Sequence, residues 1–216
     1  MKTKNIIIPI TMTTVIILSL IGCTDSQKQN QTETSTDNSA AQSTTQADDK
    51  STDDMFTDRD YRTEYDESSA VKIELSDTDI KCESENVEIS KNTAVIKSEG
   101  TYIISGSISN GQIAVDTDKL SKVQLVLDNA DIDCDTSAAI YIKQADKVFI
   151  TMADGSKNTL STKNDFIATD DNNIDAVIFS KANITLNGNG ELEINTDYGH
   201  GIASKGDLKI TSGIYS

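Results

Sequence analysis

Three aspartates fall at alternate positions in the string DNADIDCD: Asp131, Asp133 and Asp135. Alternate residues of an extended strand share a face, so these carboxylates crowd one another and repel unless a cation or solvent lies between them. Ca2+ takes about six to eight oxygens from such groups, which makes the string a candidate calcium site. A second acidic group, Asp170, Asp171 and Asp175 with Asn172 and Asn173 among them, offers the same chemistry. Neither has the order of an EF-hand loop, which needs Gly at its sixth position and a closing Glu. Solvated acidic turns on an acidic protein account for both clusters as well as a metal does.

The C–H face of a sugar stacks on an aromatic ring, and this chain has few rings to offer. Phe166 and Tyr198 lie in turn-like contexts, and His200, the single histidine, sits between glycines in YGHGI. These three are the candidate carbohydrate contacts, with ordinary packing as the competing reading of each. Tyr141, Phe149 and Phe179 interrupt strand patterns and are expected to face outward. Elimination from a uronate would need a base and a cation to neutralise its carboxylate. Lys143, Lys181 and Lys205, at a recurring position, are candidates for the base if burial lowers their pKa; otherwise they are a surface feature of the repeat. Glycoside hydrolysis needs two carboxylates at a defined separation, and so acidic a sequence singles out no pair. There is no nucleophile elbow, zinc motif or phosphate loop. Binding therefore ranks ahead of catalysis, with a calcium-dependent polysaccharide lyase as the alternative.

Positioning such residues falls to a repeat. Ile178/Ile202, Ser180/Ser204, Lys181/Lys205, Asn183/Asp207, Ile184/Leu208 and Leu186/Ile210 all pair 24 residues apart. Further back, KVFITM lies 36 residues before NITLNG, and KVQLVL lies 25 before KVFITM. A unit of about 24 residues explains all three spacings if one unit carries an insertion, expected within residues 161–173. Apolar residues alternate inside each unit (Val123, Leu125, Leu127; Val148, Ile150, Met152; Ile184, Leu186), and period two means strands. Asn, Gly, Asp and Ser between the strands supply turns, as in TLNGNGELEI. One unit cannot bury its own apolar face, whereas stacked units share a continuous core. The expected architecture is an all-β solenoid, a parallel β-helix, with Ile184 over Leu208, Leu186 over Ile210, and all four pointing inward. An antiparallel β-sandwich is the runner-up and makes no claim on a 24-residue offset. TYIISGSI, which lacks the clean repeat, is expected to form an N-terminal cap. TSGIYS stops part-way through a unit, so the domain is expected to be incomplete at the C-terminus.

Two segments precede the repeat. Lys2 and Lys4 begin a leader, residues 6–21 are largely apolar, and Leu20-Ile21-Gly22-Cys23 reads as a lipobox. Pro9 and several Thr break an apolar run already shorter than the roughly 18 residues of a membrane span. Residues 1–22 are thus expected to be a signal peptide, and Cys23 the acylated residue that holds the protein at the outer face of a bacterial membrane. Residues 24–54 contain no Val, Ile, Leu, Phe or Tyr and cannot bury enough apolar surface to fold, so residues 23–69 read as an anchored tether; within it, residues 55–69 leave open a short docked helix. The domain is assigned to residues 70–216. The net charge of −16 argues against nucleic acid as a partner, and both arginines, Arg59 and Arg62, precede the repeat. Cys82 and Cys134 could pair outside the cell or be two small buried residues.

The strings GTYIISGSISNGQIAVDTDKLSKVQLVLDNADI, AAIYIKQADKVFITMADGSKNTLS and DAVIFSKANITLNGNGELEINTDYGHGIASKGDLKITSG resemble a family of bacterial surface carbohydrate-binding domains. That family is similar to pectate-lyase-like right-handed β-helices and is associated with cellulose, acidic pectic sugars and bound calcium. The resemblance covers about residues 100–213. It implies a right-handed parallel β-helix that binds polysaccharide for adhesion, with Ca2+ as cofactor, without saying which Asp binds the ion.

Overall fold

The computed structural model describes residues 55–135, 137–167 and 172–216. The leader, Cys23, residues 24–54, Asp170 and Asp171 lie outside the described residues. No helix among those described is long and apolar enough to cross a membrane.

The described chain is nearly all β. A single-turn helix α1 (Asp58–Tyr61) is followed by β1 (Val71–Asp77), β2 (Asp79–Lys81), β3 (Val87–Ser90), β4 (Thr93–Ile96), β5 (Gly100–Ser109) and β6 (Gln112–Asp116). Then come β7 (Lys122–Asp133), β8 (Ile140–Gln144), β9 (Lys147–Met152), β10 (Lys157–Thr162), β11 (Ala176–Ser180) and β12 (Asn183–Gly188), and last β13 (Glu191–Thr196), β14 (His200–Ser204), β15 (Leu208–Ile210) and β16 (Ile214–Tyr215). One sheet runs β3, β4, β6, β8, β11, β14, and the other joins the remaining strands. The sheets are mixed. The pairs β1/β2 and β3/β4 are antiparallel, and every other pairing is parallel.

From β8 onward the chain lays down three strands per unit, and each stacks in parallel on its equivalent in the next. Val123 pairs with Val148, Val148 with Ile184, and Ile184 with Leu208, which reproduces the offsets of 25, 36 and 24 residues. The extra dozen residues of the long unit lie between β10 and β11, in the expected place, although Ser161 and Thr162 belong to β10. Stacking of like on like builds the core. Ile113, Ile140, Ile178 and Ile202 form one row of neighbours, and Leu125, Ile150, Leu186 and Ile210 another. Each apolar side chain fully buried this way contributes about 1.5–3 kcal/mol.

Four sequence expectations change. TYIISGSI is no cap: β5 is a regular rung, paired along its length with β7, Tyr102 beside Leu125 and Ile108 beside Ile132. Asn129, at φ 56, is the extra residue of a bulge where Ser105/Gly106 faces Asp128/Ala130. Leu208 and Ile210 pair as expected but are 43% and 50% exposed, because β15 is an edge strand of its sheet among the described residues. Residues 55–69 are not tether; they fold onto the strands, as described below. Tyr141, Phe149 and Phe179 do lie outside the main core, yet they are buried, since other segments cover them. No disulfide joins Cys82 and Cys134; both pack against the main core.

Candidate carbohydrate-binding surface

Two regions outside the core gather side chains suited to a saccharide. The first is built by the insertion and the turn between β13 and β14. Tyr141 and Phe179, neighbours on β8 and β11, meet edge to face with ring centroids 6.0 Å apart, and Ala138, Ile174 and Ala176 complete a small outer cluster. Phe166 packs against that cluster, and Asn172 Nδ2 donates to the Tyr141 hydroxyl at 2.9 Å. Tyr198 is 48% exposed, and the exposed His200 donates its backbone N–H to the Asp175 carbonyl at 2.8 Å. Gly199 lets the two segments meet. It has φ +69, and a Cβ there would lie 2.3 Å from the Asp175 carbonyl oxygen and 2.8 Å from the Phe166 ring, a conformation and a clearance that L side chains rarely tolerate. Gly199 thus sets the turn that carries Tyr198 and His200 beside Phe166; Phe166 is half-buried, and Tyr198 and His200 are open to solvent.

The acidic candidates are placed differently. Asp131 and Asp133 alternate with the buried Ile132 on β7 and face outward. Asp133 already has a cation, Lys163, and accepts from Ser161 Oγ at 3.1 Å. The hydrogen bond from Lys163 to Asp133, helped by the charges of Asp135 and Asp131, pushes the Lys163 ammonium pKa up. Asp135 donates its backbone N–H to Asn110 Oδ1 at 3.2 Å. Asp175 accepts from Asn173 Nδ2 at 3.4 Å. Among the described residues no three His, Cys, Asp or Glu side chains are gathered to share a metal ion. In the Asp131 group, Lys163 supplies the charge partner of Asp133. Lys143, Lys181 and Lys205 are all exposed, so none has the buried setting a lysine base needs.

The second region was missed by sequence reasoning. On the outer side of β7, β9, β12 and β15, the register sets Gln124, Phe149, Thr185 and Lys209 in one row, with Thr151 and Asn187 paired in the next. Residues 57–62 lie across this face. The Asp60 carboxylate, fully buried, pairs with Lys147, accepts from Thr185 Oγ1 at 2.6 Å and from Lys209 Nζ at 3.4 Å, and closes back on the Thr57 N–H at 2.9 Å. Its backbone carbonyl accepts from Asn187 Nδ2 at 3.0 Å and Thr211 Oγ1 at 2.9 Å. The Arg59 guanidinium lies 4.0 Å over the Phe149 ring and donates to Gln124 Oε1 at 2.9 Å. Burial pushes the Asp60 carboxyl up, but the hydrogen bonds from Lys147, Thr185 and Thr57 outweigh it and hold the group below the usual carboxylate range. Strand alternation does mark Phe149, Thr151, Thr185 and Asn187 as outward-facing. Nothing local marks Asp60 as their partner.

The family model of carbohydrate-binding domain-containing proteins matches residues 90–216. A carbohydrate-binding domain-containing protein of Acetivibrio thermocellus is 41% identical over 138 residues, 62% of this chain and 48% of the relative. The chain thus spans about half the length of that relative. A solved structure of the polysaccharide lyase-like protein from C. thermocellum, in a gadolinium derivative, is similar at a TM-score of 0.64 and 37% identity, over 68% of this chain and 60% of that one. With more than half of its residues inside the family match, the protein belongs to the family of carbohydrate-binding domain-containing proteins.

Proposed function

We propose that this chain is a right-handed parallel β-helix that binds polysaccharide at the bacterial cell surface for adhesion, taking acidic pectic sugars and cellulose, with calcium assisting at the acidic ones. The observation that carries the reading is the placement of the Tyr198–His200 turn beside Phe166 in a chain whose family is carbohydrate-binding. Exposed aromatic and imidazole groups on a rigid stack of strands give a sugar ring a flat contact and hydrogen-bonding partners. Parallel rungs that repeat every 24 residues or so support the β-helix. The leader, with Cys23 as the acylated residue, supports the surface location.

Calcium enters for an electrostatic reason. A chain with a net charge of −16 repels an acidic polymer, and a divalent cation between the two sets of carboxylates removes that repulsion. The test is retention of the full chain on polygalacturonate and on cellulose, in Ca2+ and in chelator. Retention on polygalacturonate should fall in chelator and return with Ca2+, while retention on cellulose should change less. Equal retention on polygalacturonate in both solutions removes calcium from the mechanism; no retention on either polymer removes the binding function. Unsaturated, ultraviolet-absorbing ends would instead identify a lyase.

A further inference from the structure

The outer face of β7, β9, β12 and β15 is built at a cost that covering a sheet does not require. A strap that only shields strands would do so with apolar side chains, because buried ion pairs gain little over an apolar contact of the same shape. Here two lysines, the hydroxyls of Thr185 and Thr211, two amides and one flat aromatic ring each meet a group of the strap. The Asp60 carboxylate takes Lys147, Lys209 and Thr185. The planar Arg59 group lies on Phe149 and engages Gln124. Backbone carbonyls of Asp60 and Arg62 take Asn187.

We propose that this face is a binding site for a uronate, a sugar unit that carries a carboxylate, and that Arg59 and Asp60 occupy it as an internal stand-in for that ligand. Lys147, Lys209 and Thr185 would receive the sugar carboxylate in place of Asp60. Phe149 would carry the C–H face of the ring in place of Arg59, and Gln124 and Asn187 would serve its hydroxyls. The exchange is close to balanced, since one carboxylate replaces another on the same lysines. The strap is replaceable because α1 is four residues long, far below the roughly 12–15 at which a helix holds together alone; its order comes from docking. Two lysines freed of Asp60 would also give an acidic polymer a cationic foothold on an acidic protein. The proposal rests on the polysaccharide-binding function but not on calcium.

The experiment titrates the full chain, in chelator, with a short oligogalacturonate and with a cello-oligosaccharide as the neutral control. A site whose competent state is rarely populated binds weakly in proportion to that population, so Asp60→Ala should tighten oligogalacturonate binding by about tenfold and leave the neutral oligomer unchanged. Adding Lys209→Met to Asp60→Ala should cancel the gain. Because Asp60→Ala leaves half-buried lysines without their partner, the unaltered chain supplies a second measurement: saturating oligogalacturonate should strip hydrogen-exchange protection from residues 57–62. No gain in a folded Asp60→Ala chain, an equal gain for the neutral oligomer, or protection unchanged at saturation overturns the proposal. A native chain retained on polysaccharide while any of these holds leaves the general binding function standing and refutes only this site.

Discussion

Leu186 on β12 and Ile210 on β15 are direct neighbours in parallel strands, 24 residues apart in the chain. Leu186 is completely buried, with Ile150 on its other side. Leu186→Ala should cost about 2–5 kcal/mol by leaving a cavity between rungs. Leu186→Asp should unfold the stacked units, because it strands a charge in the core. Chemical denaturation checks both, and a folded Leu186→Asp chain of native stability would contradict the stacking.

Repetition made this part of the fold legible. Identical or like residues at a fixed offset can only be neighbours in a stack, so Ile178/Ile202 and Ile184/Leu208 revealed both the period and the pairing. The rung formed by β5 was not legible, because stacking demands only apolar character at inner positions and Tyr102 and Ile104 can meet Leu125 and Leu127 without repeating their wording. Phe166, Tyr198 and His200 stood out as candidates by their turn-like or glycine-flanked contexts, but that the Tyr198–His200 turn meets Phe166 at Gly199 was not legible. Asp60 was invisible for a different reason. Its partners lie 87, 125 and 149 residues away, and no local pattern encodes a contact at that range.

Docking of residues 57–62 should depend on acid. The folded-state pKa of Asp60 lies below its ordinary value of 3.8, so its contribution is fully present above 3.8 and is lost as pH falls through the lower, folded value. Hydrogen-exchange protection of residues 57–62, corrected for intrinsic rates, should be flat from neutral pH down to that ordinary value and fall below it. Asp60→Asn should remove the acid limb. A midpoint near neutral pH would contradict the assignment.

Tyr198→Ala should weaken binding to polygalacturonate and cellulose about fivefold, the worth of about 1 kcal/mol of aromatic contact. Thermal stability should scarcely change, since the ring is 48% exposed. Comparing affinity and melting temperature of the same sample checks this; unchanged affinity would exclude the Tyr198 edge as the contact.

Cys23→Ala should abolish incorporation of a fatty-acid analogue, because the thiol is the acylated atom. Labelling in intact cells reads this directly, and labelling that persists in the variant would rule out the lipobox.

The full chain is expected to hold an acidic polysaccharide without cutting it. Native gel electrophoresis through a matrix containing polygalacturonate and Ca2+, with ultraviolet absorbance of the polymer followed in parallel, measures both halves at once. Retarded migration with no rise in absorbance is the expected result. Unretarded migration, or absorbance that climbs with time, would contradict it.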